Sequence, residues 1–190
     1  MKSSSKWGSL LVAAVLAAMP ALAQEAKKAA PPKPAPSPSA AVLESWNDVG
    51  RKLIAIAEDL PEDKYDYKPN PDSRTFVAQL IHASASMYYF TDIAQNKKPR
   101  YPDDPKREDL KLTGKTEVVA YVKQCVKDGA DLIKAKGDAG MSRNVVFSGQ
   151  TSRIGDLAYS LIEHSGEHYG HLVVYYRING LVPPESRPKK

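Results

Sequence analysis

Between Ala41 and Leu60, apolar residues fall at Val42, Trp46, Val49, Leu53, Ile56 and Leu60. Steps that alternate between four and three place all six on one side of a helix; a strand, alternating every second residue, would scatter them over both faces. Pro61 ends the run, because proline removes a backbone donor and collides with the preceding turn. Phe76 through Ile93 forms a second Pro-free stretch, rich in Leu, Ile, Met and aromatic residues. Lys115–Ala135 carries Val118, Val122, Val126 and Ile133 on one side, and Gly137 and Gly140 are expected to break it. Thr151 is expected to N-cap the longest helix, which runs to Ile178 and stops at Asn179-Gly180. Four such helices without a reliable strand pattern predict an all-α fold, a four-helix bundle.

The connections are uneven. A turn-rich segment, EDKYDYKPNPDS, leads into Arg74, and Val145-Val146-Phe147 before Ser148-Gly149-Gln150 reads as a strand or an extended cover. Residues 96–114 hold three prolines and no periodicity, so they form a long loop. Loops of that length inside a domain are usually functional or mobile.

Ahead of the helices, Lys2 and Lys6 precede an apolar stretch from Trp7 to Met19, and Ala21-Leu22-Ala23 comes next. A basic start, a short apolar core and small residues two apart predict a secretory signal peptide over residues 1–23, cleaved after Ala23. A bilayer span needs roughly 20 apolar residues, so no stable membrane anchor is expected. No cysteine follows the cleavage region to carry a lipid. Residues 24–39, QEAKKAAPPKPAPSPS, cannot build a core and read as a solvated, disordered linker. Residues 40–190 are then the folded domain, working in an exported compartment, periplasmic or secreted.

That division changes the meaning of the charge. The 190 residues carry 27 Lys and Arg against 22 Asp and Glu, a net of +5. Five lysines and one glutamate lie in residues 1–39, and Arg187, Lys189 and Lys190 lie at the other end, leaving residues 40–186 at −2. Nucleic-acid binding requires clustered cations on the folded surface, so no nucleic-acid partner is expected. The single cysteine, Cys125, excludes an intrachain disulfide and cysteine-based zinc folds, and beside Val122 and Val126 it reads as packed core. Without a glycine-rich phosphate loop or a nucleophile elbow, no nucleotide cofactor is expected.

The chemistry-bearing residues are the four histidines, His82 on the second helix and His164, His168 and His171 on the fourth. At about 100° per residue, His168 lies roughly 40° and His171 roughly −20° from His164. That is the arc occupied by Leu157, Leu161, Leu172 and Tyr175, so all three imidazoles are expected to point into the bundle. Bare imidazoles there need polar partners, and a divalent cation satisfies several at once by accepting their lone pairs. His82, flanked by Ala78, Ala85 and Ser86, completes a three-nitrogen site. Three histidines leave coordination positions open, as catalytic centres do. All-imidazole ligation suits Zn, Ni, Fe or Cu without choosing among them.

Glu163 and Glu167 flank the ligands, and Glu167 is the candidate to reach a bound water or to accept from a ligand; a solvated surface carboxylate is the other reading of each. Tyr88, Tyr89, Tyr169 and Tyr175 either line the pocket or pack the core. His164-Ser165-Gly166-Glu167-His168 also fits H-x-x-E-H, the inverted zinc-protease motif, but the 22 residues after His168 are too few for the rest of such a site. Two function classes remain: a metal-dependent hydrolase or transferase, and a non-catalytic module that a metal only stabilises.

Two segments, LPEDKYDYKPNPDSRTFVAQLIHASASMYYF (60–90) and LIEHSGEHYGHLVVYYRINGLVPPESR (161–187), resemble the DinB-like (damage-inducible) superfamily. The first is similar to that family's turn and its helix with a single ligand histidine. The second is similar to its last helix, with an HxxxH pair and a closing Gly-x-x-Pro-Pro-x-Ser-Arg. The resemblance implies a four-helix bundle, often a homodimer, with one divalent metal held by His82, His164 and His168. It places His171 where relatives often carry glutamine, as a pocket residue or alternative ligand. It also implies a small-molecule substrate such as a low-molecular-weight thiol, which the metal activates in thiol-dependent isomerases and transferases.

Overall fold

Four helices form where the periodicity places them. The computed structural model describes residues 33–102 and 104–188; the expected signal peptide and residues 24–32 of the expected linker lie outside the described residues, while Pro38 and Ser39, assigned to the disordered linker, instead begin the first helix. Helix α1 spans Pro38–Asp59, α2 Phe76–Ile93, α3 Lys115–Met141 and α4 Ile154–Ile178. Helix α1 begins four residues ahead of its apolar stripe because Ser37 caps it, accepting from the Ala40 N–H, and Pro38 supplies a pre-set first turn. Thr75 caps α2 in the same way.

The expected N-cap of the fourth helix needs correction. The Val145 segment pairs with its immediate neighbour in the chain: β1 (Asn144–Phe147) and β2 (Gln150–Arg153) form an antiparallel hairpin with Val146 opposite Thr151. Thr151 therefore sits inside a strand, and the residue ahead of α4 is Arg153, whose guanidinium holds Asp156 in the first turn at 2.8 Å. Helix α3 is interrupted at the first of its two glycines, as expected. It turns sharply at Gly137, where φ is +55°, and continues for another turn.

Helix α1 lies against α3 and α4, and α2 also lies against α3 and α4, so the order around the bundle is α1–α3–α2–α4. The centre is filled by Trp46, Leu53, Ile56, Phe76, Leu80, Phe90, Val122, Ile133 and Tyr176, all fully buried. Trp46 stacks at a tilt on Phe90, with centroids 5.1 Å apart, and its indole N–H donates to the Val126 carbonyl at 2.9 Å. Tyr65 and Tyr176 donate their buried hydroxyls to Ala57 and Ile56 carbonyls at the end of α1. Cys125 is fully buried, and burial raises its thiol pKa, which is the behaviour of a core residue rather than a nucleophile.

Helix α2 is the exception to amphipathicity, with fifteen of its eighteen residues buried. Two helices cover part of it, the hairpin places Phe147 against Tyr89, and the loop between α2 and α3 covers more. That loop is fixed by Arg100, whose backbone N–H and guanidinium both bond the buried carboxylate of Asp92 and whose charge lies 4.0 Å over the Tyr88 ring. Tyr101 then packs edge-on against Tyr88 and Tyr121. Among the described residues, no helix is long and apolar enough to cross a membrane.

Candidate metal centre

Because α2 and α4 are neighbours, the ring order brings the histidines of both helices together. His82, His164 and His168 each offer a ring nitrogen, and the three atoms lie within 4.8 Å of one another, a group that could hold a metal ion. Their rings meet edge to face, with centroids 4.6 Å apart for His82 and His168, 4.3 Å for His164 and His168, and 5.2 Å for His82 and His164.

The donor chemistry suits a cation. Burial first, and then the neighbouring His164, His82 and His171 and the Arg74 charge, push the pKa of His168 down to about 3. Its imidazole is therefore neutral near pH 7 and carries a lone pair that a cation can accept. Each ring also meets a polar side chain from outside the cluster. The Gln79 amide nitrogen, buried one turn before His82, contacts His168 Nδ1. Ser86 donates its hydroxyl proton to the His82 carbonyl at 2.8 Å and presents its oxygen to His164 Nε2 at 3.0 Å. Asp104 places Oδ1 3.3 Å from His82 Nδ1. Such outer partners orient metal-binding imidazoles and set their tautomers.

His171 departs from the helical-wheel expectation. It is exposed, 5.6 Å from His168 by ring centroids, and its Nδ1 meets the same Gln79 amide at 3.0 Å. It stands at the rim of a cavity of about 760 Å³ lined also by Arg74, Gln79, Val174, Tyr175 and Ile178. Tyr175 is buried and donates to the Arg74 carbonyl at 2.7 Å, so it packs the core and lines this cavity at once. Tyr89 lies elsewhere, against Phe147 and along a different cavity with Ile93 and Lys97. Glu163 and Glu167 are exposed on the outer side of α4.

Sequence reasoning gave no role to Gln79, Ser86, Arg74 or Asp104. Gln79 and Ser86 flank His82 at helical spacing, three residues before and four after, and so were within reach of the same wheel. Asp104 carried no such signal. Its carboxylate also accepts an ion pair from Arg74 Nε at 3.3 Å. Arg74 lines the first cavity, and Asp104 lines a second of about 960 Å³ with Asp66, Ala78 and Arg107, so their ion pair stands between the two.

The DinB superfamily matches residues 45–172, which takes in all four histidines. Two solved structures share the fold. A DinB-like protein from Bacillus subtilis superposes with a TM-score of 0.61 at 18% identity, covering 78% of this chain and 99% of its own. A DinB-like protein from Bacillus cereus gives 0.62 at 16% identity, covering 75% and 93%. No curated protein matches the chain.

Proposed function

The chain belongs to the DinB superfamily, and from that premise we propose that it is an exported metal-dependent enzyme, a hydrolase or a thiol-linked transferase. Its centre would hold one divalent ion, Zn, Ni or Fe, on His82, His164 and His168. The observation that carries this reading is the convergence of those three nitrogens within 4.8 Å. When bound, a divalent ion on three neutral imidazoles supplies Lewis acidity that brings the pKa of a water or a thiol toward neutrality. The protein's own residues do the rest. Burial keeps His168 unprotonated, Gln79 fixes its ring, and Ser86 links the two helices that carry the ligands. His171 and Tyr175 border the cavity beside the cluster, where a small substrate such as a low-molecular-weight thiol would be oriented.

Elemental analysis of the purified mature protein tests this, alongside His82→Ala and His164→Ala. One ion per chain is expected, lost in each variant; full metal in both variants overturns the three-histidine site. Catalysis is tested by screening the metal-loaded protein against esters, amides and thiol adducts. Full occupancy with no turnover would favour the second reading, in which the ion only ties α2 to α4. That reading rests on the ligands being split between those two helices.

Export and a homodimer belong to the same proposal. N-terminal sequencing of the exported protein should begin at Gln24, and sedimentation should give twice the chain mass.

A further inference from the structure

Resting on the three-histidine reading, we propose that Asp104 is the positioning residue of His82. One carboxylate oxygen of Asp104 faces His82 Nδ1 at 3.3 Å. The contact is electrostatic: a carboxylate accepts and does not donate, so its charge favours the tautomer with the proton on Nδ1. The lone pair is then on Nε2, the nitrogen left to face His164 and His168. The same carboxylate also brings negative charge beside the cluster, which imidazole ligands do not themselves supply to a divalent cation. Asp104 is the carboxylate that meets an imidazole of the cluster among the described contacts.

The placement has a structural cause. The loop between α2 and α3 is pinned four residues earlier, where Arg100 wraps the buried Asp92 carboxylate, and Tyr101 packs on Tyr88. From that anchor, Asp104 stands beside His82, which lies about 2.8 turns from Asp92 along α2. Arg74 holds the other side of the arrangement, pairing with the same Asp104 oxygen at 3.3 Å. Asp104 is thus placed by a cation on one side and an imidazole on the other. Its side chain remains 58% exposed, so removing it leaves the core untouched.

The test measures metal affinity by competition with a chelator, and the visible spectrum of the cobalt-loaded protein, for wild type, Asp104→Ala and Asp104→Asn. Loss of an outer partner on a ligand histidine weakens binding by about 10- to 100-fold. Asp104→Ala should lose affinity by that factor and shift the cobalt bands, with the melting temperature of the ion-free protein unchanged. Asp104→Asn keeps an oxygen that can accept from Nδ1 and should recover part of the loss. Unaltered affinity and an unaltered spectrum in Asp104→Ala would overturn the inference while leaving the three-histidine centre standing. A wild-type protein that binds no cobalt or zinc would instead remove the centre itself.

Discussion

Arg100 encloses the carboxylate of Asp92: its Nη2 donates to Oδ1 at 2.6 Å, and its backbone N–H donates to Oδ2 at 2.9 Å. The Asp92 side chain is 3% exposed, so its charge depends chiefly on this partner. Burial is the largest single influence and opposes ionisation, but the bonds and charge from Arg100 together hold the carboxyl below its ordinary range. Arg100→Ala should therefore destabilise the protein by about 2–3 kcal/mol, toward the lower end for breaking a buried pair because Arg100 itself is partly exposed. The direction of the pH dependence is set by the lowered pKa. A lowered folded-state pKa contributes stability that is complete above the ordinary aspartate value of about 4 and is lost as pH falls through the lower folded value. Urea titrations of wild type and Arg100→Ala should differ fully at pH 7 and converge as pH falls below the ordinary aspartate value of about 4; a constant difference would contradict this account.

The tight approach of α1 to α3 makes a second prediction. A Cβ on Gly129 would stand 1.9 Å from Cζ2 of Trp46, whereas one on Gly166 or Gly170 would meet nothing within 4 Å. Gly129→Ala should cost about 2–3 kcal/mol through forced repacking of the indole. Gly166→Ala, in the exposed middle of α4, should stabilise by about 0.5–1 kcal/mol through helix propensity. A Gly129→Ala midpoint at or above that of wild type would show that the α1–α3 contact is less tight than described.

Metal addition should separate His168 from His171. An ion present at a hundred times its dissociation constant stabilises by about 2.7 kcal/mol. For a domain of this size that raises the melting midpoint by about 5–10 °C. Zinc should produce this shift in wild type and in His171→Ala, and none in His168→Ala. A lost shift in His171→Ala would make that exposed residue a ligand after all.

Arg74 should act against the ion. Its charge contributes to lowering the His168 pKa, and a cation felt by that imidazole also repels a divalent ion beside it. Arg74→Gln, which removes the charge and leaves the carbonyl that Tyr175 uses, should bind zinc severalfold more tightly. Chelator competition at two salt concentrations checks this, since the advantage should shrink as salt rises. Weaker binding would mean that Arg74 supports the cluster through Asp104 more than it repels the metal.

The sequence made some of this plain and concealed the rest, for physical reasons. Helix α1 was legible because its stripe faces one way, and the DinB-like bundle followed from four such segments together with the two motif-bearing ones. The hairpin was half legible: Val145–Phe147 looked extended, but its partner begins at Gln150 and carries no apolar alternation, so Thr151 read as a cap. His171 shows the limit of a wheel, which gives the angle of a side chain around its helix and not its depth in the bundle. His82, His164 and His168 were legible as a group because the helices carry them on facing sides. Asp104 was not, because its loop has no period and its position depends on an Arg100–Asp92 pair that only the folded chain forms.

The near-complete burial of α2 has a consequence for how such a protein can diverge. A helix with hardly any solvent-facing side has few positions where a neutral substitution can settle, while the outer sides of α1 and α3 and the hairpin have many. His82, Gln79 and Ser86 therefore ride on the segment least free to drift. The α4 rim at His171, Val174 and Ile178, which borders a cavity, has more freedom to change. A lineage built this way can exchange what it recognises without dismantling the place where an ion would sit.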